Sequence, residues 1–349
     1  MDAPARPGQG PRHWAQHGRA LLTSRSALLV LGVLAIQLGF IYSYVGAFHK
    51  PTPHEVPVAV VAPSTVARRV ATELDRLPGR PVHPEVVANE AAARRMIGDE
   101  QLDGAVVVAP RSEHWLVAGA DGGALSDAVT QVAQAFGDES HQAVEVTDIV
   151  PSNAGDARGL SAFYLVVGWS VGGYLIASLL AVTIGARPAG RRRALARLSA
   201  LTLYSVLSGI GGALIVGSVG AMPGHFVALS ELGALTVFAV GAFSIGLEAY
   251  GGVFGIGFVI VLMVVLGNPS SGGAYPLPLL PTFWRVIGPW LPPGAGTTAV
   301  RTLVYFPAAG VLHQLLVLAG YAAAGLLATF AASKAPGQQY PEAQLASNT

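Results

Sequence analysis

Long apolar runs fall into two groups along the chain. One run occupies residues 27–47, and five more crowd the second half at about 160–185, 198–221, 229–247, 251–267 and 309–332. Runs of about 18–20 apolar residues are long enough to cross a bilayer as helices. Six spans are therefore expected. The fourth and fifth are separated only by Glu248-Ala249-Tyr250-Gly251-Gly252, which demands a tight turn. Reading them as one interrupted helix would instead give five spans, with the termini on opposite sides.

Residues 48–158 carry a different pattern. Apolar β-branched runs alternate with segments of helical period. The order is a strand at 56–62, a helix at 64–77 and a strand at 82–88. A helix follows at 89–99, then strands at 102–109 and 114–118, a helix at 126–136 and a strand at 143–150. Val66, Val70, Leu74 and Leu77 form the stripe of the first helix, with Ser64 as its expected N-cap, and Asn89 caps the second. At about 110 residues this is the usual size of one domain. The chain thus reads as a polytopic α-helical membrane protein with six transmembrane helices and an inserted extracytoplasmic α/β domain.

One apolar stretch fits neither pattern. Gly267-Asn268-Pro269-Ser270-Ser271-Gly272-Gly273 opens a segment running to Phe306, broken by Pro276, Pro278, Pro281, Pro289, Pro292 and Pro293. Proline forbids a long continuous helix, yet Leu279, Leu280, Phe283, Trp284, Ile287 and Trp290 keep the segment apolar. It is expected to dip into the membrane from the outer side as a re-entrant gate over 268–308. Trp284 and Trp290 suit the interface.

Composition and charge sharpen this picture. Only 12% of residues are charged and 52% are hydrophobic, against about 25% charged in globular chains; the mean hydropathy is +0.51. The α/β domain holds nine basic and sixteen acidic residues. The basic residues of short segments gather on one side: Arg6, Arg12, Arg19 and Arg25 before the first span, Arg187, Arg191, Arg192, Arg193 and Arg197 between the second and third, and Lys334 after the last. Arg285 and Arg301 alone lie in short segments on the other side. This asymmetry places both termini in the cytoplasm and the α/β domain outside. Residues 1–26 then form a basic cytoplasmic segment, with 11–25 as an interfacial helix or a disordered tail, and 333–349 form a cytoplasmic tail. The expected location is the cell membrane, multi-pass.

Several chemistries find no support. No phosphate-binding Gly-x-x-x-x-Gly-Lys-Ser/Thr loop or His-Glu-x-x-His occurs. There is no cysteine, and the nine histidines lack metal spacing. No catalytic residue, cofactor or metal site is assigned, an enzyme is not expected, and the basic residues lie at membrane edges, so nucleic acid is not an expected partner. Charges within apolar runs are the better clues, since each costs at least about 2.5 kcal/mol on insertion scales. Glu231 and Glu248 sit at the outer and inner ends of the fourth span, and His313 lies in the last. Glu231 could pair with Arg285 or Arg301 across the outer mouth, or simply mark the interface. The Gly168/Gly172 and Gly251/Gly255 spacings permit close helix approach.

The order of parts resembles the permeases of the ABC type-2 exporter class, and more closely the phage-infection-protein (YhgE/Pip) branch. The residues that carry the likeness are Val56-Pro57-Val58-Ala59-Val60-Val61, Leu102-Asp103-Gly104-Ala105-Val106-Val107-Val108-Ala109-Pro110, Gly159-Leu160-Ser161-Ala162-Phe163-Tyr164 and Asn268-Pro269-Ser270-Ser271-Gly272-Gly273. The resemblance implies a half-transporter that forms a homodimer or pairs with a second permease, and that recruits a separate cytoplasmic ATP-binding subunit. It makes 186–197, with Arg187, Arg191, Arg192, Arg193 and Arg197, the coupling element, and 277–305 a re-entrant outer helix pair. The gate set would be Asn268, Pro269, Ser270, Ser271, Gly272, Gly273, Arg285 and Arg301. The outer domain is short for that branch. Two other functions compete: a membrane-anchored receptor or scaffold whose outer domain binds a partner, and an ion-gradient transporter using Glu231, Glu248 and His313. A lipophilic cargo fits the apolar bundle.

Overall fold

The computed structural model describes residues 24–187 and 190–334. Most of the basic N-terminal segment and of the C-terminal tail therefore lies outside the described residues. The apolar run near the start forms one helix, α1 (Ser24–Phe48). The α/β domain follows as β1 (Val56–Val61), α2 (Ser64–Asp75), β2 (Val82–Val86), α3 (Glu90–Gly98), β3 (Gly104–Val108), β4 (Ser112–Val117), α4 (Gly123–Ser140) and β5 (Ala143–Asp148). The strands make one mixed sheet in the order β2-β1-β3-β4-β5. β1 runs parallel to β2 and β3, with Val58 opposite both Pro84 and Gly104. β4 is antiparallel to β3 and parallel to β5.

The central strand reads as a nearly continuous apolar run because both faces of the sheet are covered. Alternate residues serve alternate layers. Val56, Val58 and Val60 pack with α2 and α4 through Val70, Leu74, Val129 and Phe136. Ala59, Ala105 and Leu116 face α3 through Ala93 and Ile97. Pro84 is tolerated in β2 because that strand is an edge. Asn89 caps α3 as expected, its side chain accepting from the Ala92 amide at 2.9 Å. Ser64 does not cap α2. It is the first helical residue, Pro63 holds the cap position, and no side chain accepts there.

The membrane part consists of α5 (Ser161–Ile184), α6 (Arg191–Ser218), α7 (Phe226–Gly251), α8 (Val253–Ile260) continued as a π-helix over Val261–Gly267, the short α9 (Thr282–Ile287), α10 (Pro292–Tyr305) and α11 (Leu312–Lys334). Five helices are long and apolar enough to cross a membrane: α1, α5, α6, α7 and α11. The sixth expected span is the shorter apolar run Val253–Gly267. It is not continuous with α7, because Gly252 turns the chain at φ +50°. At about 1.5 Å per residue it falls short of the roughly 30 Å hydrocarbon core.

α7 is the centre of the bundle, packed by α5, α6 and α11. One member of each pair that spacing suggested makes a close approach, a Cβ at Gly172 lying 2.8 Å from the Tyr204 hydroxyl and one at Gly255 lying 2.6 Å from the Leu247 carbonyl oxygen, and other glycines do the same. A Cβ at Gly173 would lie 2.8 Å from the Val237 carbonyl oxygen, and one at Gly325 would strike the Ala242–Phe243 peptide. Gly168 and Gly251 meet nothing within 4 Å. The faces at these two positions look away from their neighbours.

Candidate functional site

The π-helical run ends in a compact turn that launches the re-entrant segment. Asn268, Ser270 and Ser271 are buried there. The Asn268 amide donates to the Met263 carbonyl at 3.1 Å, and the Ser271 hydroxyl accepts from the Gly273 amide at 3.2 Å. Gly272 adopts φ +71°, which a side chain would oppose. α9 and α10 then fold back on this turn. A Cβ at Gly288 would meet the Ser270 carbonyl, and one at Gly294 would meet the Gly288 carbonyl. Pro292 and Pro293 start α10 where their missing amide donors cost nothing.

α10 is inserted among α5, α7, α11 and the π-helical run. Ala295, Thr297, Ala299 and Val300 are buried in that setting. One polar stripe remains, Arg301, Thr302 and Tyr305, and it faces the α/β domain. Arg301 is 5% exposed. Its Nη1 donates to Asp121 Oδ1 and its Nη2 to the Gly272 carbonyl, each at 3.2 Å. The Thr302 hydroxyl donates to Glu100 Oε2 at 2.7 Å, and the Tyr305 hydroxyl donates to Asp156 Oδ2 at 3.2 Å. Apolar contacts flank the stripe: Phe306 joins the layer of α3, and Leu279 joins the opposite layer with α2 and α4. The segment thus fills the mouth of the bundle and floors the α/β domain.

Arg301 therefore does not pair with Glu231. Its carboxylate partner comes from the α/β domain, and Glu231 is exposed. Arg285, on α9, donates to the backbone carbonyl of His54 at 3.2 Å. Trp284 is buried beside Ala47 and Leu280, so it packs rather than marking an interface. Trp290 remains exposed and stands edge-on to His313, ring centroids 4.9 Å apart. An apolar groove of about 1070 Å³ runs between α1 and this segment, walled by Leu38, Tyr42, Val265, Leu266, Phe283 and Trp284.

At the far end of the bundle, Arg187, Arg191, Arg192 and Arg193 are exposed. Arg197 is not. It is fully buried, with Nη1 donating to the carbonyls of Gly185 at 3.2 Å and Ala186 at 2.6 Å. Its Nη2 lies 3.8 Å from Glu248 of α7, whose Oε1 accepts from Ser178 of α5 at 3.0 Å. Arg197 therefore belongs to a buried tie among α5, α6 and α7 rather than to a docking surface.

Sequence reasoning passed over Glu100, Asp103, Asp121 and Asp156. Glu100 and Asp103 lie just before β3, and Asp121 closes a single 3₁₀ turn (Gly119–Asp121) after β4. Antiparallel pairing brings the start of β3 beside the end of β4. Nothing in the local sequence marks that pairing. Comparison with protein-family models, curated proteins and solved structures found no match.

Proposed function

We propose that the chain is the permease subunit of an ABC-type exporter, driven by a separate cytoplasmic ATP-binding subunit and carrying a lipophilic cargo. The observation that carries this reading is the burial of α10 among four neighbouring elements at the mouth of the bundle. Irregular backbone is tolerated at membrane depth only where protein or a cavity surrounds it, and a short helix held there by few polar contacts is suited to gating. In this reading Val253–Gly267 is a sixth, thinned pass. Both termini and the exposed Arg187, Arg191, Arg192 and Arg193 then share the cytoplasmic side, where they would meet the ATPase. The apolar groove beside α1 offers a lateral route for cargo, or a seat for a second permease subunit.

The test is co-purification of the full chain with an ATP-binding subunit from its native membrane. The reading expects capture by the wild type and loss of capture in a chain with Arg191, Arg192 and Arg193 changed to Glu. Capture that survives the triple change removes those arginines from the coupling role. A second reading rests on a polar cleft of about 510 Å³ in the α/β domain, between α2 and α4, with the buried Glu113 at its floor. It makes the domain a receptor, and the chain a scaffold for it. If no ATPase is captured and deletion of the domain alone reproduces the null phenotype, the receptor reading takes over.

A further inference from the structure

The junction between α10 and the α/β domain sets several acids against one cation. Glu100, Asp103 and Asp121 arrive from two separate loops, and the only guanidinium among them is Arg301. Glu100 is held by Thr302, Asp121 by Arg301, and Asp103 lies against the Asp121 carboxyl. Two facing carboxyls can hydrogen-bond only when one keeps a proton, because an ionised carboxylate only accepts. With all of them ionised, the buried guanidinium would be outnumbered where desolvation makes unpaired charge costly. The surrounding groups do not restore the balance. Asp156 accepts from Tyr305 and from the Ser161 amide, Asp148 accepts from the Gly119 amide, and Arg158 is committed to Asp127 in an exposed pair.

We infer that this junction is a proton-operated clamp: the α/β domain grips α10 while the carboxyl cluster holds protons and loosens from it as they leave. The contacts that would break are those of Arg301, Thr302 and Tyr305, the polar stripe of the re-entrant helix. The electrostatics point the same way. Burial, followed by the neighbouring Asp121, pushes the Glu100 carboxyl from 4.5 up to about 7, despite Thr302 and Arg301. Asp103 is pushed well above the usual carboxylate range by burial and then by Asp121. Asp121 is also raised by burial, against the pull of Arg301. An acid raised in the docked state favours docking fully below its ordinary value and loses that contribution as pH climbs through the raised one. Glu100 therefore makes the grip complete below 4.5 and progressively weaker up to about 7. Asp103 holds its proton to higher pH. The consequence for gating rests on reading α10 as the outer gate, but the docking equilibrium itself does not.

The test is hydrogen exchange of the full-length chain in detergent between pH ~5.5 and ~8.5, corrected for the intrinsic pH dependence of exchange, since opening free energies are read from such protection. Peptides covering 119–123 and 298–306 should lose at least about tenfold in protection, as expected for one linked proton over this range. The part of the loss due to Glu100 should level off near 7, with the strands β1 and β3 unchanged. Glu100→Gln should remove the part of the loss that Glu100 contributes, and Glu100→Gln with Asp103→Asn should remove most of the remainder. If Asp103→Asn prevents folding, seen as lost protection in β1, the single Glu100→Gln decides. Constant protection in the wild type, or an equal loss in Glu100→Gln, overturns the clamp. A pH-dependent junction in a chain that moves no cargo would leave the clamp standing and remove the gate.

Discussion

Removing Arg197 alone should damage the bundle more than removing Arg197 and Glu248 together. The two groups are 0% and 1% exposed and 3.8 Å apart. At an effective dielectric of 20, unit charges at that separation attract by about 4 kcal/mol. Leaving one of them buried alone typically costs about 3–5 kcal/mol, whereas replacing both by apolar groups of similar volume is often neutral. Arg197 additionally serves the Gly185 and Ala186 carbonyls at the end of α5. Those two acceptors would be unpartnered in any variant without it, at about 1–3 kcal/mol each if they stay dry. Arg197→Met and Glu248→Leu should therefore each lower the melting temperature in detergent by roughly 6–20 °C at 2–4 °C per kcal/mol. The double variant should sit above the Arg197→Met single, because the stranded Glu248 charge is gone. Melting curves at one fixed scan rate make the comparison, since membrane chains often unfold irreversibly. A double variant that falls by the sum of the two singles would show that the charges are not coupled, and the tie among α5, α6 and α7 would be refuted.

Three smaller predictions follow from single contacts. Gly294→Ala places a methyl group against the Gly288 carbonyl and should cost about 1–3 kcal/mol of overpacking, read as a lower melting temperature with insertion unchanged. Gly217→Ala, where a Cβ meets nothing within 4 Å, should have no effect, and a matching loss there would mean that backbone packing is not the cause. Asn89→Ala removes the acceptor for the Ala92 amide and should destabilise α3 by about 1 kcal/mol, visible as faster exchange in 90–98; unchanged exchange would make the cap idle. Thr302→Val should loosen 298–306 and move the pH at which the loss levels off upward, since Thr302 is the foremost contact that lowers the Glu100 carboxyl; a profile that levels off at the same pH would show that the Thr302 contact does not bear on Glu100.

The architecture was legible wherever it rests on local periodicity. Five of the six apolar runs became long helices close to their expected limits, and the alternating elements of 48–158 became a five-stranded sheet with its helices. The shortness of Val253–Gly267 was visible in the glycines before it, but its π-helical half carries no comparable mark. Arg197 was grouped with its basic neighbours on charge. On α6, however, Ala194, Arg197, Leu198 and Leu201 form a buried i, i+3, i+4, i+7 stripe, and that helical period was the better guide. The partner of Arg301 was out of reach. Asp121 lies 180 residues earlier in the chain, and only the pairing of β3 with β4 and the docking of the sheet on α10 bring the two together. Glu231 was favoured because acids in apolar runs stand out; a carboxylate in an acidic soluble domain does not.

The proposed role of this bundle is that of an ATP-driven permease gated at α10. The most direct measurement is ATP hydrolysis by the co-purified ATP-binding subunit, reconstituted in liposomes with and without the full chain. Severalfold stimulation by the wild type is expected, reduced when Gly294→Ala disturbs the re-entrant helix and lost when Arg191, Arg192 and Arg193 are changed to Glu. Hydrolysis indifferent to the presence of the chain would contradict it.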